Sequence, residues 1–251
     1  MKIRLLTYNI HKAIGGIDRK YRPQRIIDTV NHYAADIVLL QEVDDAVPRS
    51  SYHRQVDFLG AELGYKYRVY QQNVKVRRGG YGNAILSHFP MDEITDIDLT
   101  IPPKKRRRAL VARLHLRAAG HTRTLVIANI HLGLAGFERN MQAKRLLNHP
   151  SLAQLRAATP TIVAGDFNDV WGSLGKKIFE PAAFKTIGEY KSFPAVYPVR
   201  ALDHVFFRGE LKFCTAFSGR TKIAHEASDH LPIIAEFEVL AEHESSSNEQ
   251  G

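Results

Sequence analysis

The stretch ASDHLP, Ala227 to Pro232, sets an acid beside an imidazole just ahead of the apolar run IIAEFEVL. A strand about to be buried seldom opens on two adjacent ionisable groups, because desolvated charge is costly unless paired or used. Other apolar runs finish in the same manner. TYN ends on Asn9, IVLLQEVD carries Glu42, VIANIHLG carries Asn129 and His131, IVAGDFND carries Asp166 and Asn168, and ALDHVFF opens near Asp203. Carboxylates and amide oxygens with no thiolate cluster are hard donors that suit Mg²⁺ or Mn²⁺ rather than zinc. Several carboxylates in one cleft repel strongly unless a cation lies among them. A histidine next to an acid can be oriented by it, then move a proton or hold a phosphoryl oxygen. These parts together suit metal-assisted hydrolysis of a phosphate ester.

Each motif alone has an ordinary reading. Asp-Asn after glycine is most often a turn, since both side chains bond their own backbone there. Asp-His before proline can cap a helix or strand. The weight lies in finding all of them in one chain, each at the end of an apolar run.

Positioning such residues requires strands. IRLLTY, DIVLLQ, YRVYQQ, GNAILS, ALVARLHL, TLVIANIHL, TIVAGDF, LDHVFF, LKFCTAF and PIIAEFEV all read as strands. Helical patterns lie between some of them: PQRIIDTVNHYAA with proline in its first turn, YHRQVDFLGAELGY, FERNMQAKRLLNHP, and SLAQLRAAT after Pro150. So many strands with few helices suit two sheets packed face to face with helices outside, an α+β arrangement. No linker interrupts the chain, so one domain is expected over residues 1–241. The polar segment 242–251 has nothing to bury and is expected to lack fixed structure.

Of 251 residues 44% are apolar and 24% charged, ordinary for a chain with a real core. No apolar run reaches bilayer-spanning length. MKIRLLTYNI lacks the h-region of a signal peptide, and the lone Cys214 excludes an internal disulfide, so a cytoplasmic monomer is expected. The 35 Lys+Arg against 26 Asp+Glu leave a formal charge of +9, which favours polyanionic partners without choosing among them.

In order, TYN, LQEVD, GNAILS, NIHLG, GDFND, LDHVFF and SDHLPI resemble the endonuclease/exonuclease/phosphatase superfamily, over practically the whole chain. The resemblance implies a DNase I-like four-layer αββα sandwich and a Mg²⁺- or Mn²⁺-dependent phosphodiesterase. It implies that Glu42 is the principal metal ligand, with Asn9 beside it and Asp229 adding a third donor. Asp166 then orients or deprotonates the attacking water, and Asn168 contacts the phosphate. Asp229 orients His230, which binds or protonates the phosphoryl group, while Asp203 holds a further histidine, His131. Asn83, Asn129 and Arg200 are candidate substrate contacts, although Asn83 serves equally well as a strand cap.

NIHLG stands where abasic-site endonucleases carry a tyrosine-bearing motif, and Arg200 precedes Asp203 where those enzymes have an aromatic residue. The chain thus resembles a small intracellular bacterial branch with an open substrate. Nucleic acid is the favoured substrate. A phospholipid or inositol-phosphate head group is the alternative, and an inactive anion-binding scaffold the third reading. The run KKRRR, Lys104 to Arg108, is either a phosphate-contacting loop or a solvated turn with Arg108 paired to an acid. Trp171, Phe193 and Tyr197 could stack on bases or pack locally. His32, His53, His88, His115 and His121 carry no catalytic assignment.

Overall fold

The computed structural model describes residues 1–118 and 121–240, so the segment 242–251 lies outside the described residues. Twelve strands are described: β1 (Lys2–Asn9), β2 (Ile37–Asp45), β3 (Tyr67–Lys75), β4 (Gly80–Ser87), β5 (Met91–Asp98), β6 (Arg108–Ala118), β7 (His121–His131), β8 (Thr161–Asp166), β9 (Lys185–Thr186), β10 (Asp203–Arg208), β11 (Leu211–Ser218) and β12 (Ile233–Val239). The helices are α1 (Pro23–Tyr33), α2 (Gln55–Glu62), α3 (Gly136–Leu147), α4 (Pro150–Ala153) and α5 (Lys222–Ala227). One sheet runs β11-β12-β1-β2-β4-β3 and the other β5-β6-β7-β8-β10-β9. At the centre of each lies one parallel pair, β1 with β2 and β7 with β8.

Side-chain alternation explains the layers. In β2, Ile37 and Leu39 face the second sheet, while Val38 and Leu40 face outward onto Ile26, Ile27 and Val30 of α1 and Val56 and Leu59 of α2. In β8, Ile162 and Ala164 point inward, while Val163 points outward with Ala143 and Leu146 of α3 and Leu152 of α4. Central strands buried on both faces become continuous apolar runs rather than alternating ones. Each buried Leu or Ile contributes roughly 1.5–3 kcal/mol relative to exposure, which holds the four layers together.

The strands read from the sequence are all present. Two were not: β5, whose MDEITDID is mostly exposed and charged, and the two-residue β9. Both are edge strands, where charge discourages pairing with other chains and erases the apolar signature.

Following the inward-facing rows toward one end of the sandwich, apolar side chains give way to polar ones. Leu5 leads to Thr7 and Asn9, Leu39 to Gln41, Ile127 to Asn129 and His131, Ala164 to Asp166, and Ile85 back to Asn83. The first polar layer is a closed amide network. Gln41 Nε2 donates to Thr7 Oγ1 (3.1 Å) and Asn129 Oδ1 (2.8 Å); Asn129 Nδ2 donates to Leu40 O (2.9 Å) and Ala84 O (2.8 Å). Asn83 Nδ2 donates to Arg108 O at 3.1 Å and to Gln71 Oε1 at 3.4 Å. Asn129 and Asn83, expected as substrate contacts, are instead fully buried below the mouth with their donors spent on other strands, and both bind one sheet to the other.

Asn129→Leu should therefore take the side-chain donor from two carbonyls, Leu40 O and Ala84 O, and one acceptor from Gln41, and cost about 3 kcal/mol of stability. Urea unfolding checks this. Activity per folded molecule should change little, whereas a substrate contact would show the opposite pattern.

Candidate active site

The second polar layer forms the mouth. Asp166 ends β8 at the inward position, and its cross-strand neighbours are His131 on β7 and Asp203 on β10. The register thus places two aspartates directly opposite each other, an arrangement that destabilises a sheet unless a cation is shared. The loop before β12 supplies that cation. His230 Nδ1 donates to Asp203 Oδ2 at 2.8 Å, and its Nε2 lies 3.8 Å from Asp166 Oδ2. Asp203 Oδ2 also accepts from Ser192 Oγ at 2.5 Å. Burial opposes a charge on His230, but Asp203 and then Asp166 outweigh it and push the imidazole pKa up to about 10. Asp166 moves up to about 6, chiefly through burial, with Asp203 adding repulsion and His230 opposing it.

Asp166 is held from every side. Asn9 Nδ2, from the other sheet, donates to its Oδ2 at 3.0 Å, and the Asn168 backbone N–H donates to its Oδ1 at 2.9 Å. His131 Nε2 stands 3.4 Å from Oδ2. Burial, with Arg107 the largest charge acting on it, drives the His131 pKa well below the ordinary imidazole value. The two histidines therefore differ: His230 is an imidazolium at neutral pH and His131 a neutral ring.

Two expected pairings change. Asp203 holds His230, not His131, because the loop before β12 brings His230 onto the inward side of β10. Asp229 does not orient the neighbouring imidazole. Its carboxylate is a third exposed and lies 3.9 Å from His11 Nδ1. Asn168 turns its Nδ2 back onto Leu132 O at 3.0 Å, and its left-handed backbone (φ 50°) presents its N–H to Asp166. Arg200 is exposed and pairs through its backbone with Phe193, whose ring lies 5.0 Å from that of His230.

Glu42 adopts φ 56° at the register shift between β2 and β4, a strained conformation for a residue with a side chain. Its partner is Lys12, whose ammonium binds Glu42 Oε2. Lys12 sits in the middle of three consecutive left-handed residues, His11, Lys12 and Ala13, that follow Asn9. Burial resists ionisation of Glu42, yet Lys12, with His11 and His230 farther off, holds its pKa below the ordinary value. Lys12 and Ser192 were not read from the sequence. Lys12 had a signal, its place three residues after Asn9; Ser192 had none, since only the fold brings it to Asp203.

The donor set fits a divalent cation. Asp166, Asp203 and His230 bring donor-type atoms within 4.8 Å of one another. The two carboxylates offer hard oxygens, Asp203 Oδ1 being buried with no hydrogen-bond partner, while His230 as an imidazolium has no lone pair to give and would have to lose a proton to ligate. That compact group differs from the expected set of Asn9, Glu42 and Asp229, although Asn9 joins it through Asp166.

Residues 6–230 match the model of the endonuclease/exonuclease/phosphatase family. The uncharacterized protein YbhP of Escherichia coli K12 is 28% identical over 247 residues, covering 93% of this chain and 95% of YbhP. An endonuclease/exonuclease/phosphatase structure from Beutenbergia cavernae superposes with TM-score 0.79 at 21% identity, over 95% of this chain and 72% of that one. The human nocturnin catalytic domain, solved with a bound sulfate anion, gives TM-score 0.73 at 23% identity, over 95% of this chain and 94% of that one. The chain belongs to the endonuclease/exonuclease/phosphatase family, whose members hydrolyse phosphate esters. No helix among the described residues is long and apolar enough to cross a membrane.

The charge balance predicts a pH dependence of folding. The folded pKa of His230 is raised above the unfolded value, so its stabilisation is complete below about pH 6.5 and declines as pH rises toward 10. In EDTA, the urea midpoint should fall between about pH 7 and 9 for the wild type, and the His230→Asn variant should show a flatter profile.

Proposed function

We propose that the chain is a divalent-metal-dependent phosphodiesterase that favours nucleic acid, with chemistry at Asp166 and His230. The observation that carries this is the convergence of Asn9, His131 and His230 on Asp166, with Asp203 behind His230. A phosphate in front of this group meets an imidazolium, a neutral imidazole donor and a carboxylate tuned close to neutrality. Asp166, with a pKa near the working pH, takes the proton of the attacking water. His230 holds a phosphoryl oxygen and stabilises the charge that develops there, preorganised by Asp203. His131 donates from its neutral ring, and Asn9 fixes the orientation of the base. Mg²⁺ or Mn²⁺, which Glu42, Asn9 and Asp229 would hold, would supply further neutralisation of the phosphate when bound.

Two sets of exposed side chains around the mouth support a nucleic-acid substrate. The loops of the first sheet and the β5–β6 loop carry Arg49, Arg77, Arg78, Lys104, Lys105 and Arg106, with Lys105 over the Tyr81 ring and Lys104 over the Phe137 ring. The loops of the second sheet expose Trp171 (85%) and Tyr197 (76%), and the first turn of α3 exposes Phe137 (57%). Cations along a backbone track, with aromatic faces for bases, are the parts of a single-strand groove. A second reading, a phospholipid head group at an anionic surface, is favoured by the exposed Leu134, Val196 and Val199 among those aromatics.

A parallel screen separates them: single-stranded DNA, RNA, plasmid DNA, and anionic vesicles of phosphatidylglycerol, each with Mg²⁺. Turnover of the single strands is expected, and turnover of vesicles alone would replace that reading with the second. Asp166→Asn and His230→Ala should each lower kcat on the order of 10²–10⁴-fold per folded molecule, and His230→Ala should also be less stable, since it leaves Asp166 and Asp203 facing each other without their cation. Full activity in EDTA would contradict the metal dependence.

A further inference from the structure

The basic run Lys104–Arg108 behaves residue by residue in different ways. Lys104 and Lys105 lie over aromatic rings, and Arg108 pairs with Asp96 at 2.7 Å. Arg107 alone of the run is buried: it is 5% exposed, yet among the described residues its guanidinium has no carboxylate or carbonyl partner, and its Nε is buried without an acceptor. Its backbone is fixed at both polar atoms, since its carbonyl accepts from Leu99 N (2.9 Å) and its N–H donates to Thr100 Oγ1 (3.3 Å). Arg139, also buried, and the half-buried Arg208 likewise leave Nε without an acceptor, but their terminal nitrogens find partners: Arg139 reaches Leu134 O and Asp169, and Arg208 reaches Leu152 O. Arg107 directly precedes β6, whose pairing of Ala109 with Ile130 of β7 sets it at the end of the sheet where His131 stands.

A buried, unpaired guanidinium costs several kcal/mol unless an anion completes it. We propose that Arg107 is a substrate-binding residue whose planar fork receives two oxygens of the substrate phosphate beside His131. The assignment rests on the phosphoesterase reading of this site, and it names the ligand class as a phosphate group in bidentate contact. Lysine offers a point charge without the fork, so it is a poor replacement. Because the guanidinium lacks a partner within the fold, its removal should not weaken the protein. That separates binding from a structural role, for which truncation destabilises.

The test uses the full chain, inorganic phosphate as probe, and thermal unfolding together with hydrolysis of bis-p-nitrophenyl phosphate in Mg²⁺. Arg107→Met is expected to melt no lower than the wild type without phosphate, and to lose most of the phosphate-dependent rise in melting temperature. Its KM should rise at least about tenfold, the scale of one charge-assisted contact. Arg107→Lys should keep part of the phosphate response and still show a raised KM. Should Arg107→Met fail to fold, Arg107→Lys decides: unchanged KM and an unchanged phosphate response would overturn the assignment. A stable Arg107→Met with wild-type KM overturns it as well. If the wild type shows an Arg107-dependent phosphate response but hydrolyses no ester, the assignment stands and the enzymatic reading fails.

Discussion

Two aspartates that face each other across adjacent strands, both out of water, share one imidazole. That constraint organises the rest of the site. Asp166 and Asp203 are fixed opposite by the pairing of β8 with β10, and the side-chain alternation sends both inward. Like charges so placed are tolerated only with a cation between them. His230 meets the need, which explains why an imidazole stands just before an apolar strand, where a charged ring would otherwise be a burden. The same arrangement sets the chemistry: it leaves Asp166 ionised but basic, and it keeps His230 positive where phosphate must bind.

The sandwich provides the depth. Inward positions are apolar at the centre, an amide network lies one layer up, and acids and imidazoles lie one layer above that. The amide layer seals the core from the wet mouth, because each buried donor in it finds a strand carbonyl or another amide. Asn9 joins the layers and the sheets at once, with its Nδ2 on Asp166 and its Oδ1 receiving His11 N at 3.0 Å. Positioning the base therefore depends on Asn9, which reaches it from the other sheet.

Much of this was legible along the chain. Apolar runs marked the central strands, and the recurrence of Asn, Asp and His at their ends marked one edge of the sandwich. Depth was not legible. Asn129 and His131 differ by two residues and point the same way, but one is spent on Leu40 and Ala84 while the other reaches Asp166. Telling them apart requires the strand register, which no single run contains. The partner of Asp203 is hidden for the same reason: spacing admits His131 as well as His230, and only the packing of the loop before β12 chooses. Lys12 was overlooked because lysine in a turn is ordinarily solvated, whereas three left-handed residues in a row turn this one back onto Glu42.

The charge on His230 decides how labour is divided at the site. Long-range ¹H–¹⁵N NMR of the ¹⁵N-histidine-labelled, metal-free protein at about pH 8 reads it directly. Both ring nitrogens of His230 should carry protons there, and those of His131 should show a neutral ring. A neutral His230 titrating near pH 6.5 would mean that Asp166 and Asp203 do not share its charge, and the proposed division of labour at the site would be wrong.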